Sequence, residues 1–450
     1  MSDAISPKQI KKKIETGKLK KKEAIDSLLS LIEKTNKTSI RRECLNIVGN
    51  LGIKTKNLFE RLENIVLSDD SPELRAAAAE SLIKIFPKES VKPIKWVIEH
   101  ERHVLVLLKV LWQIFTQEIE ESNKLLDLFF MIFGKPTEKY EKNNLTAKEA
   151  LIIEILDKIN AVKIHKGSIV ALDLSGLNIN ELPNFFYKLQ HLKRLTIFKN
   201  RFEEIPSSFF ILENLEELII NSGQLKKIPQ NISNLKKLKY LNLANNQIQI
   251  LPKEFNKLKN LRRLDLRNND ILVFPDAVSD LPNLYILDLS ENDLEDIPRS
   301  FSKQNRLNDL NLRGNHLEKL PTIFHHLKNL RRLNLSSNLL SEVPKKIGNL
   351  RSLERLDLSK NFLSSFPEDI LTLHNLEYLD LSFNRIRIVP EQIGQLDTLN
   401  YLILRNNKIQ KIPESILKLE NLEQLDFRNN PIKIIPESIM SLKSDINLKF

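Results

Sequence analysis

LRRLNLSSNLLSEVPKKIGNLRS, residues Leu330 to Ser352, decides the fold. Leu330, Leu333 and Leu335 alternate with polar residues, the period-two pattern of a short strand with one face inward. Leu340 and Val343, with Ile347 and Leu350 on the outer segment, close an apolar core from the other side. A stretch of 23 residues cannot bury such a face alone, so similar units must stack, and their parallel strands then line one side of a curved array. The neighbours are present: units begin at Ile169, Leu192, Leu215, Leu238, Leu261, Leu284, Leu307, Leu330, Leu353, Leu376, Leu399 and Leu422, always 23 residues apart.

Two polar or rigid positions recur with the leucines. The ninth is asparagine in ten units: Asn200, Asn246, Asn269, Asn292, Asn315, Asn338, Asn361, Asn384, Asn407 and Asn430. A buried amide is tolerated only where it is hydrogen-bonded, so this ladder is expected to satisfy backbone groups where each strand turns, a structural role. Proline recurs at the same place in all twelve units, from Pro183 to Pro436. Its fixed backbone angle and missing donor suit the start of a short helical or extended outer segment.

The pattern LxxLxLxxNxLxxLPxxIxxLxN resembles the leucine-rich repeats of Ras-suppressor-type and plant intracellular Ras-group proteins, over residues 169–450. The resemblance implies an α/β leucine-rich-repeat solenoid of about 12 repeats with a parallel-strand concave face. It also implies a protein ligand, with a small Ras-like GTPase as one candidate partner. Leu177 and Gly223 stand where the first and third units should carry asparagine, and Gln304 replaces an outer leucine in the sixth. Residues 445–450 read as a strand capping the core, as terminal repeats must.

Ahead of the repeats, three related helix patterns start at Ser39 (SIRRECLNIVGNL), Glu73 (ELRAAAAESLIKIF) and His103 (HVLVLLKVLWQIF). In DDSPELRAAAAESL the acids and serine cap a helix, proline occupies its first turn, and small alanines allow close packing. These patterns resemble HEAT repeats. The resulting division is a basic segment 1–24, a HEAT-like all-α domain 25–133, a loop and helical junction or cap 134–168, repeats 169–444 and the capping strand 445–450. Helices are expected at Glu23–Lys34 and Leu145–Asn160, and a loop at Gly134–Asn144.

Several chemistries are excluded by pattern. The ten glycines form neither GxGxxG nor GxxxxGK, so no phosphate-cradling loop or other cofactor site is expected. His100, Glu101 and His103 lack zinc-protease spacing and a third ligand. No nucleophile, base and orienting group coincide, so the chain is read as non-enzymatic, without a small-molecule substrate. Cys44, on a predicted apolar helix face, is expected to be a buried thiol. It is the only cysteine, and with no secretory-type apolar stretch among the early lysines this points to the cytoplasm. The longest apolar runs, Val104–Phe115 and Leu125–Phe133, are too short to span a bilayer.

A formal charge of +11 invites nucleic acid or anionic membrane as partners, but eight lysines sit within residues 1–24. A basic segment recruiting the chain to acidic membrane or nucleic acid is therefore one alternative function, and a solvated basic helix the plainer account. Positions three, five, seven and eight of the repeats, which face outward from the strands, hold ten basic and nine acidic residues. Phosphate binding wants a one-sided face, so a protein partner is favoured there. Twelve strands make a face about 55 to 60 Å long, ample for the roughly 800 Å² per partner of a standard interface.

On that face Arg332, Arg355, Tyr378 and Tyr401 fall in one column, and Phe362, Phe383, Arg385 and Arg405 extend it along the ascending edge. Arginine and tyrosine are enriched in interface hot spots. The alternative is a self-satisfied surface, with Arg355 paired to Asp357 and Asp380 and the tyrosines stacked on each other. The reading is a scaffold or adaptor whose concavity holds a signalling protein; a further alternative is the substrate-recognition subunit of an enzyme complex.

Overall fold

The computed structural model describes residues 6–101, 103–117, 122–133, 143, 145–177, 182, 184–199, 202–433, 435–440 and 446–449. They divide into two compact units, Met1–Leu192 and Lys193–Phe450.

The first unit is built from amphipathic helices α1 (Pro7–Glu15), α2 (Lys21–Lys34), α3 (Thr38–Leu51), α4 (Lys56–Ser68), α5 (Pro72–Ile85), α6 (Val91–His100), α7 (Val104–Gln117), α8 (Ser122–Phe133) and α9 (Ala147–Lys158). The three related patterns become α3, α5 and α7, and α5 packs between the other two while α4 lies against α6. Helix α5 begins where the Ser71 hydroxyl accepts from Leu74 N and Pro72 takes the first turn, and Ala76 to Ala79 are all buried. The contact is close enough that a Cβ on Gly49 would lie 2.7 Å from Ser81 Oγ. That hydroxyl donates to Leu45 O at 3.1 Å, tying α5 to α3. Helix α1 carries a Ser6 capping box and buries Ile10 against α2 and α3, so the basic segment is partly an ordered helix of this unit.

The junction holds a feature the sequence reading did not include. After α9, β1 (Val162–His165) pairs antiparallel with β2 (Ser168–Asp173). Lys166 and Gly167, with φ of 49° and 79°, make the tight turn that a right-twisted hairpin needs. The buried Asn143 side chain accepts from Ile169 N at 3.0 Å and donates to Gly167 O at 3.2 Å. The rest of the stretch 134–144 lies outside the described residues.

In the second unit β3 (Arg194–Thr196) through β14 (Asn447–Lys449) pair in parallel in chain order, each three residues long. Among them are β9 (Arg332–Asn334), β10 (Arg355–Asp357), β11 (Tyr378–Asp380), β12 (Tyr401–Ile403) and β13 (Gln424–Asp426). Each outer segment starts at its proline and is mostly one five-residue 3-10 turn, such as Lys345–Asn349, with two four-residue α-helical turns at Asp276–Ser279 and Glu437–Met440. The third residue of these turns fills the core, as Phe255, Phe301, Phe324 and Ile347 do, whereas Val343 is only half-buried.

Asparagine ties unit to unit. Asn338 Nδ2 donates to Leu312 O and Leu335 O at 3.0 Å and to Ser336 O at 3.3 Å, while its Oδ1 accepts from Leu317 N at 3.1 Å. Leu312 and Leu317 belong to the preceding unit, so one amide joins two repeats. The same set recurs from Asn246 to Asn430; Asn200 lies outside the described residues. At Gly223 the amide is missing. Gln304, buried, replaces its leucine by donating from Nε2 to Val278 O, Ser279 O and Leu281 O at 3.0, 2.9 and 3.2 Å.

Candidate protein-binding face

Strand register brings the predicted column together: Arg332, Arg355, Tyr378 and Tyr401 are direct partners on adjacent strands β9 to β12. The fifth-position acids beneath them have a local task that sequence reasoning missed. Asp357 Oδ1 accepts from Ser359 N at 2.9 Å and Asp380 Oδ1 from Ser382 N at 2.8 Å, closing the turn at each strand's end. Asn311 and Asn334 do the same for Arg313 N and Ser336 N, so aspartate or asparagine serves equally.

Arg355 does not pair with Asp357 or Asp380. Its guanidinium lies 4.4 Å from the Tyr378 ring centroid, a cation–π stack. Tyr378 and Tyr401 do approach each other, with centroids 6.0 Å apart and tilted by 41°. Arg332 pairs with Asp309 at 3.4 Å, and Tyr401 Oη donates to Glu423. The self-satisfied surface is thus half realised: the tyrosines and Arg332 have partners, and Arg355 presents its outer face. Asp309, Asn334, Arg355, Asp357 and Tyr378 border a shallow open hollow of about 230 Å³.

Burial dominates the electrostatics. It raises the Asp309 carboxyl despite Arg332 beside it, and raises Asp380 against its bonds from Ser382. Tyr378 is pushed up to about 12 by burial and by the charges of Asp380 and Asp357, so its hydroxyl stays a donor. The Tyr401 hydroxyl is raised by its bond to Glu423.

The other four predicted residues form a separate group on the ascending edge. Arg385 lies over Phe362 at 4.6 Å, and Arg405 and Lys360 lie over Phe383 at 5.3 and 5.9 Å. Both phenylalanines are exposed, at 41% and 40%. Phe383 occupies the eighth position, where every unit from Lys199 onward turns through positive φ, here 55°. A left-handed backbone favours glycine or asparagine, and an aromatic residue there is strained.

The other sites considered are engaged structurally. Glu101 takes Arg75 Nε at 2.8 Å and His103 N at 2.8 Å, and His100 stacks on Trp96 at 4.5 Å. Cys44 is buried, and that burial pushes its thiol up to about 12. Among the described residues no His, Cys, Asp or Glu group of three or more is placed to hold a metal, and no helix is long and apolar enough to cross a membrane.

This geometry, parallel strands on one side and short 3-10 turns on the other, defines a leucine-rich-repeat solenoid. The profile of the leucine rich repeat matches residues 213–271, 273–317, 320–363, 351–409 and 397–444, just over half of the chain. A BspA-type leucine rich repeat region matches residues 154–234. The chain belongs to the leucine-rich-repeat family.

No curated protein matches it. Among solved structures, a leucine-rich-repeat protein of Leptospira interrogans is 30% identical, covering 61% of this chain and 82% of its own at a TM-score of 0.49. The TDR receptor is 29% identical over 62% of this chain and 55% of its own, with a TM-score of 0.51, so the match spans little more than half of that receptor. An internalin of Listeria monocytogenes shares the fold, with 18% identity, coverage of 64% and 91%, and a TM-score of 0.55.

Proposed function

We propose that this chain is a non-enzymatic adaptor that holds a folded protein partner against strands β9 to β12. The observation that carries the reading is the Arg355 and Tyr378 stack at 4.4 Å, in register with Arg332 and Tyr401. Such a stack is a pre-ordered planar donor beside aromatic area, which binding need not freeze from many rotamers. The family membership supports a binding role in general, and neither leucine-rich-repeat profile describes an enzyme. The Ras-suppressor-like pattern makes a small Ras-like GTPase the first partner to test. The paired rows of helices support a HEAT-like role for the first unit, as a second partner site. The lone buried thiol of Cys44 supports a reducing, cytoplasmic setting.

The test is affinity capture with the wild type beside the Arg355→Glu, Tyr378→Ala, Tyr401→Ala triple variant. Loss of the specific partners is expected. Recovery of the same partners by both would remove the concave column as the binding surface.

A further inference from the structure

Charge is not spread evenly along the ascending edge. Segments 359–365, 382–388 and 405–411 occupy equivalent places in three successive repeats, read SKNFLSS, SFNRIRI and RNNKIQK, and contain no acid. They carry Lys360, Arg385, Arg387, Arg405, Lys408 and Lys411. The equivalent segment three repeats before the first of these, 290–296, reads SENDLED and contains no base. Most of these charges fall at positions ten, twelve and thirteen of their repeats, beyond the strand-face positions whose charges nearly balance.

Pairing does not neutralise the basic block. Several cations elsewhere on the second unit meet carboxylates, among them Arg313 with Glu291 at 3.3 Å, Arg331 with Glu354 at 2.8 Å and Arg332 with Asp309 at 3.4 Å. None of the six edge cations has an ion-pair partner among the described residues. Arg405 Nε is shielded from solvent and has no hydrogen-bond acceptor among them. Apolar surface lies between the charges: Phe362, Phe383 and Ile388 are 41%, 40% and 74% exposed.

We infer that this edge is a docking ledge for an acidic protein segment with interleaved apolar residues, a partner class that rests on the protein-binding reading above. Carboxylates of such a segment meet the exposed cations Arg385, Arg387 and Lys408, and its apolar side chains meet the phenylalanine edges and Ile388. Charge complementarity selects an anion, and the aliphatic surface beside the cations selects a peptide over a nucleic acid. Nucleobases stack on aromatic rings and guanidinium planes, whereas Ile388, 74% exposed, is matched by an apolar side chain. The stack of Arg385 over Phe362 holds its guanidinium plane in place for bidentate contact with carboxylate.

The test measures binding of a fluorescein-labelled peptide of Glu-Glu-Leu repeats to the full chain, beside U-rich single-stranded RNA and phosphatidylserine vesicles. Three proteins are compared: the wild type, an edge variant (Arg385→Glu, Arg387→Glu, Lys408→Glu) and a concave variant (Arg332→Glu, Arg355→Glu). The substituted edge residues are exposed, and an unchanged urea midpoint verifies folding; Arg385→Gln, Arg387→Gln, Lys408→Gln is the milder substitute. The lysines of α1 remain in every variant, so only the difference between proteins is read. The expected result is that the peptide binds the wild type more weakly as salt rises, that the edge variant loses about tenfold or more, and that the concave variant stays within about twofold. Equal peptide binding by wild type and edge variant overturns the ledge, as does an equal loss in the concave variant. Edge-dependent binding of RNA or vesicles tighter than that of the peptide overturns the choice of partner. Loss of captured partners by the concave triple variant with no edge effect sinks the ledge alone. An edge effect with full capture by the triple variant sinks the concave reading alone.

Discussion

Replacing Asn338 by alanine removes four hydrogen bonds at once, but they are not equally costly. Leu312 O keeps a donor in Asn315 Nδ2 at 2.9 Å, Leu335 O keeps Asn361 Nδ2 at 3.0 Å, and Ser336 O keeps Gly314 N at 2.9 Å. Leu317 N–H, at 3.1 Å from Asn338 Oδ1, has no such substitute and is buried among leucines. An orphaned buried donor costs about 1 to 3 kcal/mol, and the lost carbonyl bonds and small void add roughly 1 more. The sum is about 3 kcal/mol, felt mainly at the joint between the repeats starting at Leu307 and Leu330. Amide hydrogen exchange at Leu317 reads that joint directly and is expected to accelerate roughly a hundredfold, since 1.4 kcal/mol is about tenfold. The exposed Ser341→Ala, in the same repeat, is the control. Acceleration at Leu317 below about threefold would refute the claim that the amide, not the surrounding leucines, locks each joint.

Installing the missing amide is the converse experiment: Gly223→Asn is expected to raise the urea midpoint, worth about 1 to 2 kcal/mol. Phe383→Asn trades about 1 kcal/mol of left-handed strain against two exposed cation–π contacts of about 0.5 kcal/mol each. Its stability should therefore match the wild type within roughly 0.5 kcal/mol, while peptide binding at the edge weakens. Asp265 is buried, and that burial, with the Asp288 charge adding to it, raises its carboxyl. Such a group lends stability below its unfolded-state pKa and loses it as pH rises through the folded value. Asp265→Asn is accordingly expected to stabilise at pH 7 in urea titrations, with the gain closing as pH falls through the aspartate range.

Much of this was legible in the sequence because the array is a repetition. A leucine, asparagine or proline recurring every 23 residues declares its environment each time it recurs, and the concave column followed from strand alternation alone. What stayed hidden depends on geometry between units or on exceptions to the period. The turn-closing role of Asp357 and Asp380 stayed hidden, and Arg355 stood as their alternative partner, because the groups they accept from are backbone N–H groups two residues on. Arg355 could be assigned a face but not a partner, and its ring stack won over the ion pair. The eighth position reads as merely polar until its positive φ is seen, and only then does Phe383 stand out. The hairpin of β1 and β2 was missed although VKIH, Lys166-Gly167 and SIVALD carry its alternation and turn, because the first repeat was aligned on leucines alone. The basic edge did not stand out as a block because Arg385, Arg387, Lys408 and Lys411 fall at positions ten, twelve and thirteen of their repeats, outside the strand-face positions three, five, seven and eight.

The gap in the asparagine ladder at Gly223 has a consequence for how the solenoid transmits energy. In a one-dimensional chain of nearest-neighbour couplings, one weak link sets the length over which an event at one place is felt at another. The joint between the repeats starting at Leu192 and Leu215 is such a link. Everything from Leu215 onward is then expected to open and close as one block, so that a partner seated on β9 to β12 should tighten amides throughout that block while leaving residues 193–199 exchanging at their own rate.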